Sequence, residues 1–246
     1  MPDQAVTGSE YYIRREKFLM RGFDWISKRM GRRLEFHYGA DFADETISAT
    51  REEFQRIIPQ LPYIGGIRNV FTPVIVVNGW MVALHRAMRL RGKSTEDVVH
   101  ICCEVSDDFF AAVPSRLLRF IGRLAFTPIS RWFFKRQAAR SQDRRYDEDF
   151  VYEVKANGSD YDLALVFSEC AVNKFYDAQG EEELKPYCNF FDVTYSRFMG
   201  MGVNANDSIG AGCKYCNMRF NRDVPTTIPE PLKTLLPDRT DVAVRD

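Results

Sequence analysis

The chain has 246 residues, 45% hydrophobic and 28% charged, an ordinary globular makeup with length enough to bury a core. Lysine plus arginine and aspartate plus glutamate each number 34, so the formal net charge is zero. That balance excludes a bulk electrostatic pull toward nucleic acid or an anionic surface. No apolar run approaches the ~18–20 residues that a membrane-spanning helix needs, so no integral membrane segment is expected.

The first nine residues are polar and small and read as a frayed, disordered tail. They lack the apolar core of a signal peptide, which points to a cytoplasmic chain with reduced thiols. From Glu10 to Met30, apolar residues at Tyr11, Phe18, Phe23, Trp25, Ile26 and Met30 alternate with basic ones, predicting an amphipathic helix stopped near Gly31. A second helix is predicted from Thr46 to Ile58, ended by Pro59. Leu61 to Asn69, with Pro62 and the pair Gly65-Gly66, reads as a shaped loop. Phe71 to Leu90 is a largely apolar helix closed by Gly92. Ser94 to Asp97 is a helix start, with a capping hydroxyl and acids in the positive first turn; that helix runs to about Ala112 and carries Cys102 and Cys103. Pro114 to Arg145 holds nine basic residues against one acid, Asp143, with Leu117, Leu118, Phe120, Ile121, Leu124, Trp132, Phe133 and Phe134 interleaved and a break at Pro128. It reads as a solvated helix with a buried stripe, the alternative being a helix for a membrane surface or an anionic partner.

After this the texture changes. Phe150–Lys155 and Tyr161–Ser168 read as strands, joined as a hairpin through Asn157-Gly158. Short helices are predicted over Glu169–Ala178 and Tyr187–Met199, and further strands over Val203–Ile209 and Cys216–Asn221, joined by the loop 210–215. The stretch 225–246 carries Pro225, Pro229, Pro231 and Pro237 and reads as an extended arm. The expected fold class is therefore α+β: one domain over residues 10–224, helical through 10–145 and mixed through 150–222, the helical part packed on a small antiparallel sheet that carries short helices.

The chemistry-bearing residues concentrate late in the chain. Six cysteines occur, at 102, 103, 170, 188, 213 and 216. Cys170 ends a predicted strand. Cys188 follows Pro186 at a predicted helix start, where the positive end of the dipole favours thiolate. Asp192 lies four residues on, one turn along the same face, placed to pass a proton or hold a cationic nitrogen, although its charge opposes a thiolate. Cys213 and Cys216 form a Cys-x-x-Cys which, with Cys170 and Cys188, would supply four thiolates for zinc, but the spacing is irregular and no second such pair occurs, so no metal is expected. His85 sits within an apolar helix and reads as a satisfied core residue. Arg219 and Arg68 are cations suited to clamp a carboxylate, and the amides of Gly65 and Gly66 suit an anion cradle. No Walker loop, Rossmann fingerprint, Gly-x-Ser-x-Gly or His-Glu-x-x-His occurs, and no cofactor is expected.

These same stretches resemble the L-2-amino-thiazoline-4-carboxylic acid hydrolase family. The resemblance rests on a Leu-Pro-x-x-Gly-Gly-x-x-Asn loop at Leu61 to Asn69, a strand ending in Cys170, a Cys-x-x-x-Asp at Cys188 and Asp192, and a closing segment of Gly212 with Cys216-Asn217-Met218-Arg219-Phe220. It covers roughly residues 50 to 222. Asn217 and Met218 stand where the family has Asp and Phe, and Cys213 falls where it more often has another residue. The resemblance implies a small-molecule hydrolase that opens a five-membered cyclic amidine, with Cys188 as nucleophile, Asp192 as proton carrier and Cys216 or Cys170 as a second thiol. Gly65, Gly66 and Asn69, or Arg219, would hold the substrate carboxylate. Homo-oligomers are compatible with it; nucleic-acid partners are not expected. Two other functions stay open: a non-catalytic, sensor-like small-molecule-binding domain, and a zinc-stabilised interaction protein.

Overall fold

The structure, a computed structural model, describes residues 8–237. The expected N-terminal tail as far as residue 7, and the expected C-terminal arm beyond residue 237, lie outside the described residues. In chain order the helices and strands are α1 (Gly8–Ile13), α2 (Glu16–Tyr38), α3 (Ala40–Ile57), α4 (Thr72–Arg89), α5 (Thr95–Ala111), α6 (Ser115–Ala125), α7 (Pro128–Ser141), β1 (Val151–Ala156), β2 (Leu163–Glu169), α8 (Ala171–Gln179), α9 (Phe190–Met199), β3 (Val203–Asn204) and β4 (Cys216–Phe220). Helices dominate and the strands form one small antiparallel sheet, an α+β protein. Among the described residues no helix is long and apolar enough to cross a membrane.

The chain divides into two compact units. The first comprises residues up to Cys102 with Arg144–Phe150 and Cys170–Leu184; the second comprises Cys103–Asp143, Val151–Glu169 and the chain from Lys185 onward.

The first unit is helical. α2 buries Leu19, Phe23, Ile26, Met30 and Leu34, a spacing of three to four residues that keeps one stripe turned inward. The helix passes Gly31 without stopping, because the stripe continues to Leu34 and an interior glycine costs only ~1 kcal/mol against that burial. It ends instead at Gly39, whose φ of 89° suits glycine and lets α3 start at once, earlier than the expected Thr46. Phe23 and Phe54 stack at 5.6 Å where α2 meets α3, and α4 packs on α3.

Two polar knots lie in this unit. Asn69 ties the loop 61–69: its amide nitrogen donates to the Ile64 carbonyl at 2.7 Å and to Asp149 at 2.9 Å, and its oxygen accepts from the Phe71 amide at 3.0 Å. The Tyr12 hydroxyl donates to the Pro62 carbonyl at 3.0 Å. The second knot surrounds His85, which has no exposed surface. Its Nδ1 lies 2.6 Å from Glu181 Oε2 and its Nε2 3.0 Å from Thr95 Oγ1. Arg86 donates from Nε to Glu181 Oε1 at 2.7 Å and from Nη1 to Glu53 at 2.8 Å.

The second unit holds the sheet, in the order β1-β2-β4-β3. β1 and β2 are the expected hairpin, with Asn157 at a φ of 55° in its turn. Leu163, Leu165, Phe167, Cys216, Met218 and Phe220 are buried along β2 and β4, following the two-residue strand period on β4. β3 is far shorter than the expected Val203–Ile209, because its polar continuation bonds locally: the Asn206 amide donates to Asn204 Oδ1, and Ser208 caps a 3-10 turn at Ile209–Ala211 through the Ala211 amide at 3.1 Å. Phe110, Leu118 and Phe198 form an aromatic-rich cluster that joins α5, α6 and α9. The described part of the Pro-rich stretch is not an extended arm. Thr227 donates to the Val203 carbonyl at 2.9 Å, a 3-10 turn forms at Glu230–Leu232, and Leu232, Leu235 and Leu236 are buried.

Candidate functional site

The expected helix Tyr187–Met199 is two pieces. A 3-10 segment runs Glu182–Tyr187, and α9 starts only at Phe190, with Asn189 at the N-cap position. Asn189 donates from Nδ2 to the Ala205 carbonyl at 2.9 Å, which ties the start of α9 to the chain after β3. Cys188 is thus held on the turn between the two pieces rather than in the first turn of α9.

The short loop after Ser208 lies directly against this turn. A Cβ on Gly210 would meet the Lys185 carbonyl oxygen at 2.0 Å and Cys188 Sγ at 3.1 Å, so only glycine permits the approach. The approach brings backbone N–H groups to sulfur. The Gly210 amide and the amide of Cys188 itself both favour charge on the Cys188 thiol, while the Ile209 amide donates to Cys216 Sγ at 3.1 Å. Successive amides of one turn thereby serve two sulfurs.

Asp192, in the first turn of α9, completes the cluster. Burial, then Cys216, then Asp192 push the Cys188 thiol well above the ordinary cysteine value, against the pull of the two amides. The helix-start thiolate inferred from Pro186 is therefore not the resting state: the thiol is protonated. Asp192 is pushed up to about 6, chiefly by burial, although a hydrogen bond from the Tyr195 hydroxyl and its own amide hold it down. Tyr195 in turn stays protonated, held far above the ordinary tyrosine value by burial and by the neighbouring carboxylate. A carboxyl that titrates near neutrality beside a protonated thiol is suited to take that proton. Asn189 Oδ1 is a buried acceptor without a hydrogen-bond partner among the described residues.

The other sequence-expected residues are placed as follows. Cys188, Asp192, Cys216 and Arg219 belong to the second unit; Cys170, Gly65, Gly66 and Asn69 belong to the first. Cys170 occupies the N-cap position of α8. Arg219 is engaged by Asp160 at 2.6 Å and more weakly by Asp207 at 3.5 Å. Gly65 packs under the Tyr146 ring and Gly66 under the Tyr11 ring. Asn69, besides tying its loop, lines an apolar cavity of about 750 Å³ with Tyr11, Arg15, Val76 and Trp80. The members of the Cys-x-x-Cys part company: Cys216 is buried on the core side of β4, whereas exposed Cys213 lines a cleft of about 390 Å³ with Lys155, Lys214 and Asn217. Among the described residues of the second unit no set of three metal-ligating groups includes Cys188, Cys213 or Cys216. Sequence reasoning missed Tyr195 and Gly210. The only local signal for Tyr195 was its three-residue spacing from Asp192 on a helix.

No family model, no curated protein and no solved structure matches this chain.

Proposed function

We propose that the protein is a cysteine-centred hydrolase that opens a small cyclic amidine, 2-amino-thiazoline-4-carboxylate or a related heterocycle, as the family it resembles does. What supports this best is Asp192, a near-neutral carboxyl set beside the protonated Cys188 thiol and held by Tyr195. A thiol of high proton affinity is a poor nucleophile alone and needs a base at the moment of attack. Asp192, ionised above about pH 6, supplies one.

The proposed steps balance. Cys188 Sγ bonds to the amidine carbon, its proton passing through Asp192 to the ring nitrogen as the C=N electron pair moves there. Collapse breaks the ring carbon–sulfur bond, and the ring sulfur leaves as a thiolate. An isothiouronium is left on Cys188. Water then adds to the same carbon. It loses one proton to Asp192, which passes it to the departing Cys188 sulfur, and its second proton neutralises the freed thiolate. The product is a urea bearing the opened chain. The amides of Gly210 and of Cys188 itself steady charge on the Cys188 sulfur as it develops, and the unsatisfied Asn189 Oδ1 matches an amidine N–H donor.

Thiazolines, cyclic amidines and hydantoins offered to the wild type should reveal ring opening by release of a thiol or a urea. Cys188→Ser should lose it by at least ~10³-fold, the scale on which removing an activated nucleophile acts. Undiminished turnover in that variant ends the nucleophile assignment. A second reading, ligand binding without turnover, is favoured by one observation, the 750 Å³ apolar cavity of the first unit. It requires no ring opening by any compound of the screen.

A further inference from the structure

The basic stretch from Pro114 to Arg145 was expected to hide its apolar residues in a stripe, and it does so only in part. α6 carries three sectors. Leu118 joins the cluster with Phe110 and Phe198, and Gly122 lies so close to α9 that a Cβ there would meet the Met199 carbonyl oxygen at 2.2 Å. Those two residues fix the inward face. Leu117, Phe120, Ile121 and Leu124 follow the spacing i, i+3, i+4, i+7, so they form one stripe, and all four are exposed. Arg116, Arg119 and Arg123 form a third stripe beside them.

α7 also exposes apolar residues, but its cations lie among them rather than in a separate stripe. Its inward side is set by Ala138 and by Ser141, whose hydroxyl accepts from the Tyr152 amide of β1 at 3.1 Å. Ile129, Trp132 and Phe133 are exposed, the first at 79% and the second at 61%. Lys135, Arg136 and Arg140 flank them, and the Arg136 guanidinium lies over the Trp132 ring at 5.6 Å. From Pro114 to Gln142 there is no acidic residue. Both helices thus expose apolar residues and carry cations but no acid of their own, in a chain whose overall charge is zero.

We propose that α6 and α7 form a docking surface for an anionic phospholipid bilayer, with the Leu117–Leu124 stripe and Trp132 set into the headgroup boundary and the arginines on lipid phosphates. Charge complementarity selects this occupant. Helices with cations and no acid of their own match an anionic surface, and the α6 stripe with an exposed tryptophan matches the acyl boundary rather than a nucleic-acid backbone. The surface lies wholly within the second unit, and it does not depend on the chemistry at Cys188.

The test is flotation of the full chain with vesicles of phosphatidylcholine alone and of equal parts phosphatidylcholine and phosphatidylglycerol, at low and high salt. Binding is expected to the mixed vesicles, with loss at high salt. Phe120→Ser combined with Trp132→Ser should weaken it about tenfold or more, because each removes a large inserted apolar surface. Arg116→Gln and Arg123→Gln should each weaken it about fivefold and erode the preference for anionic lipid. All four positions are exposed, so unchanged far-ultraviolet circular dichroism and melting temperature show that the variants fold. Failure to bind the mixed vesicles, equal binding to both compositions without salt dependence, or a soluble dimer that shields Trp132 from an aqueous quencher would each overturn the proposal.

Discussion

Asp192→Asn is expected to stabilise the protein at neutral pH and to abolish most of the proposed ring-opening activity. Folding raises this carboxyl from 3.8 to about 6, so the fold favours its protonated form. The linkage sign follows: that contribution is fully present below pH 3.8 and is lost as pH rises through about 6, leaving the ionised group a burden at pH 7. At ~1.4 kcal/mol per unit, the burden is on the order of 2–3 kcal/mol. Asparagine keeps an acceptor for Tyr195 and carries no charge, so it should recover much of it. Denaturant unfolding should show the variant ahead at pH 7 and level with the wild type near pH 4. Meanwhile kcat/KM of the wild type should climb as pH rises through about 6, and the variant should lose that limb along with ~10²–10⁴ of the rate. A residue that weakens the fold while serving the chemistry is what a working site predicts. Loss of stability at pH 7 would instead make Asp192 a structural group.

Glu181→Ala should cost the first unit ~3–5 kcal/mol, the usual result of stripping one partner from a buried ionic network. Glu181 is only 4% exposed and accepts from both His85 and Arg86. The Thr95 hydroxyl donates to Glu183 at 2.8 Å, which leaves its oxygen to accept from His85 Nε2. Nδ1 lies against the Glu181 carboxylate, so each ring nitrogen has a polar partner. Removing the carboxylate strands a fully buried ring and leaves Arg86 short of one acceptor. Burial works against the charge of Glu181, but the hydrogen bonds from His85 and Arg86 outweigh it and hold this carboxyl below its usual 4.5. For a depressed carboxyl the contribution is present above pH 4.5 and lost as pH falls through the lowered value. The gap between wild type and variant should therefore be full at pH 7 and narrow in acid. A variant within ~0.5 kcal/mol of wild type, the range of ordinary surface changes, would show that the network contributes little.

Much of the fold was legible. Helices α4 and α5 declare themselves by apolar spacing and by the Ser94–Asp97 cap, in which the Asp97 amide donates to Ser94 Oγ and the Ser94 amide to Asp97 Oδ2. The β1–β2 hairpin declares itself by Asn157-Gly158. What misled was local chemistry overruled by contacts distant in sequence. Gly31 looked like a stop, but Leu34 beyond it is buried and carries the helix on to Gly39. Val203–Ile209 looked like a strand, but Asn204 and Ser208 spend its polar end on turns.

The candidate site was legible in its members more than in its electrostatics. Cys188 and Asp192 stood out by spacing, and Cys216 by its motif. The thiol state did not, because groups that act on the sulfur, Cys216 and the Gly210 amide, come from 28 and 22 positions away in the chain. Likewise nothing local marked Leu117 and Phe120 as outward-facing and Leu118 as inward-facing; that division is set by where α9 packs.

The most direct measurement is to quench the protein in acid during turnover of a ring substrate and to map the modified peptide by mass. A covalent amidine adduct on Cys188, absent from Cys170, Cys213 and Cys216, is the expected result. An adduct on another cysteine, or continued turnover with none on Cys188, contradicts it.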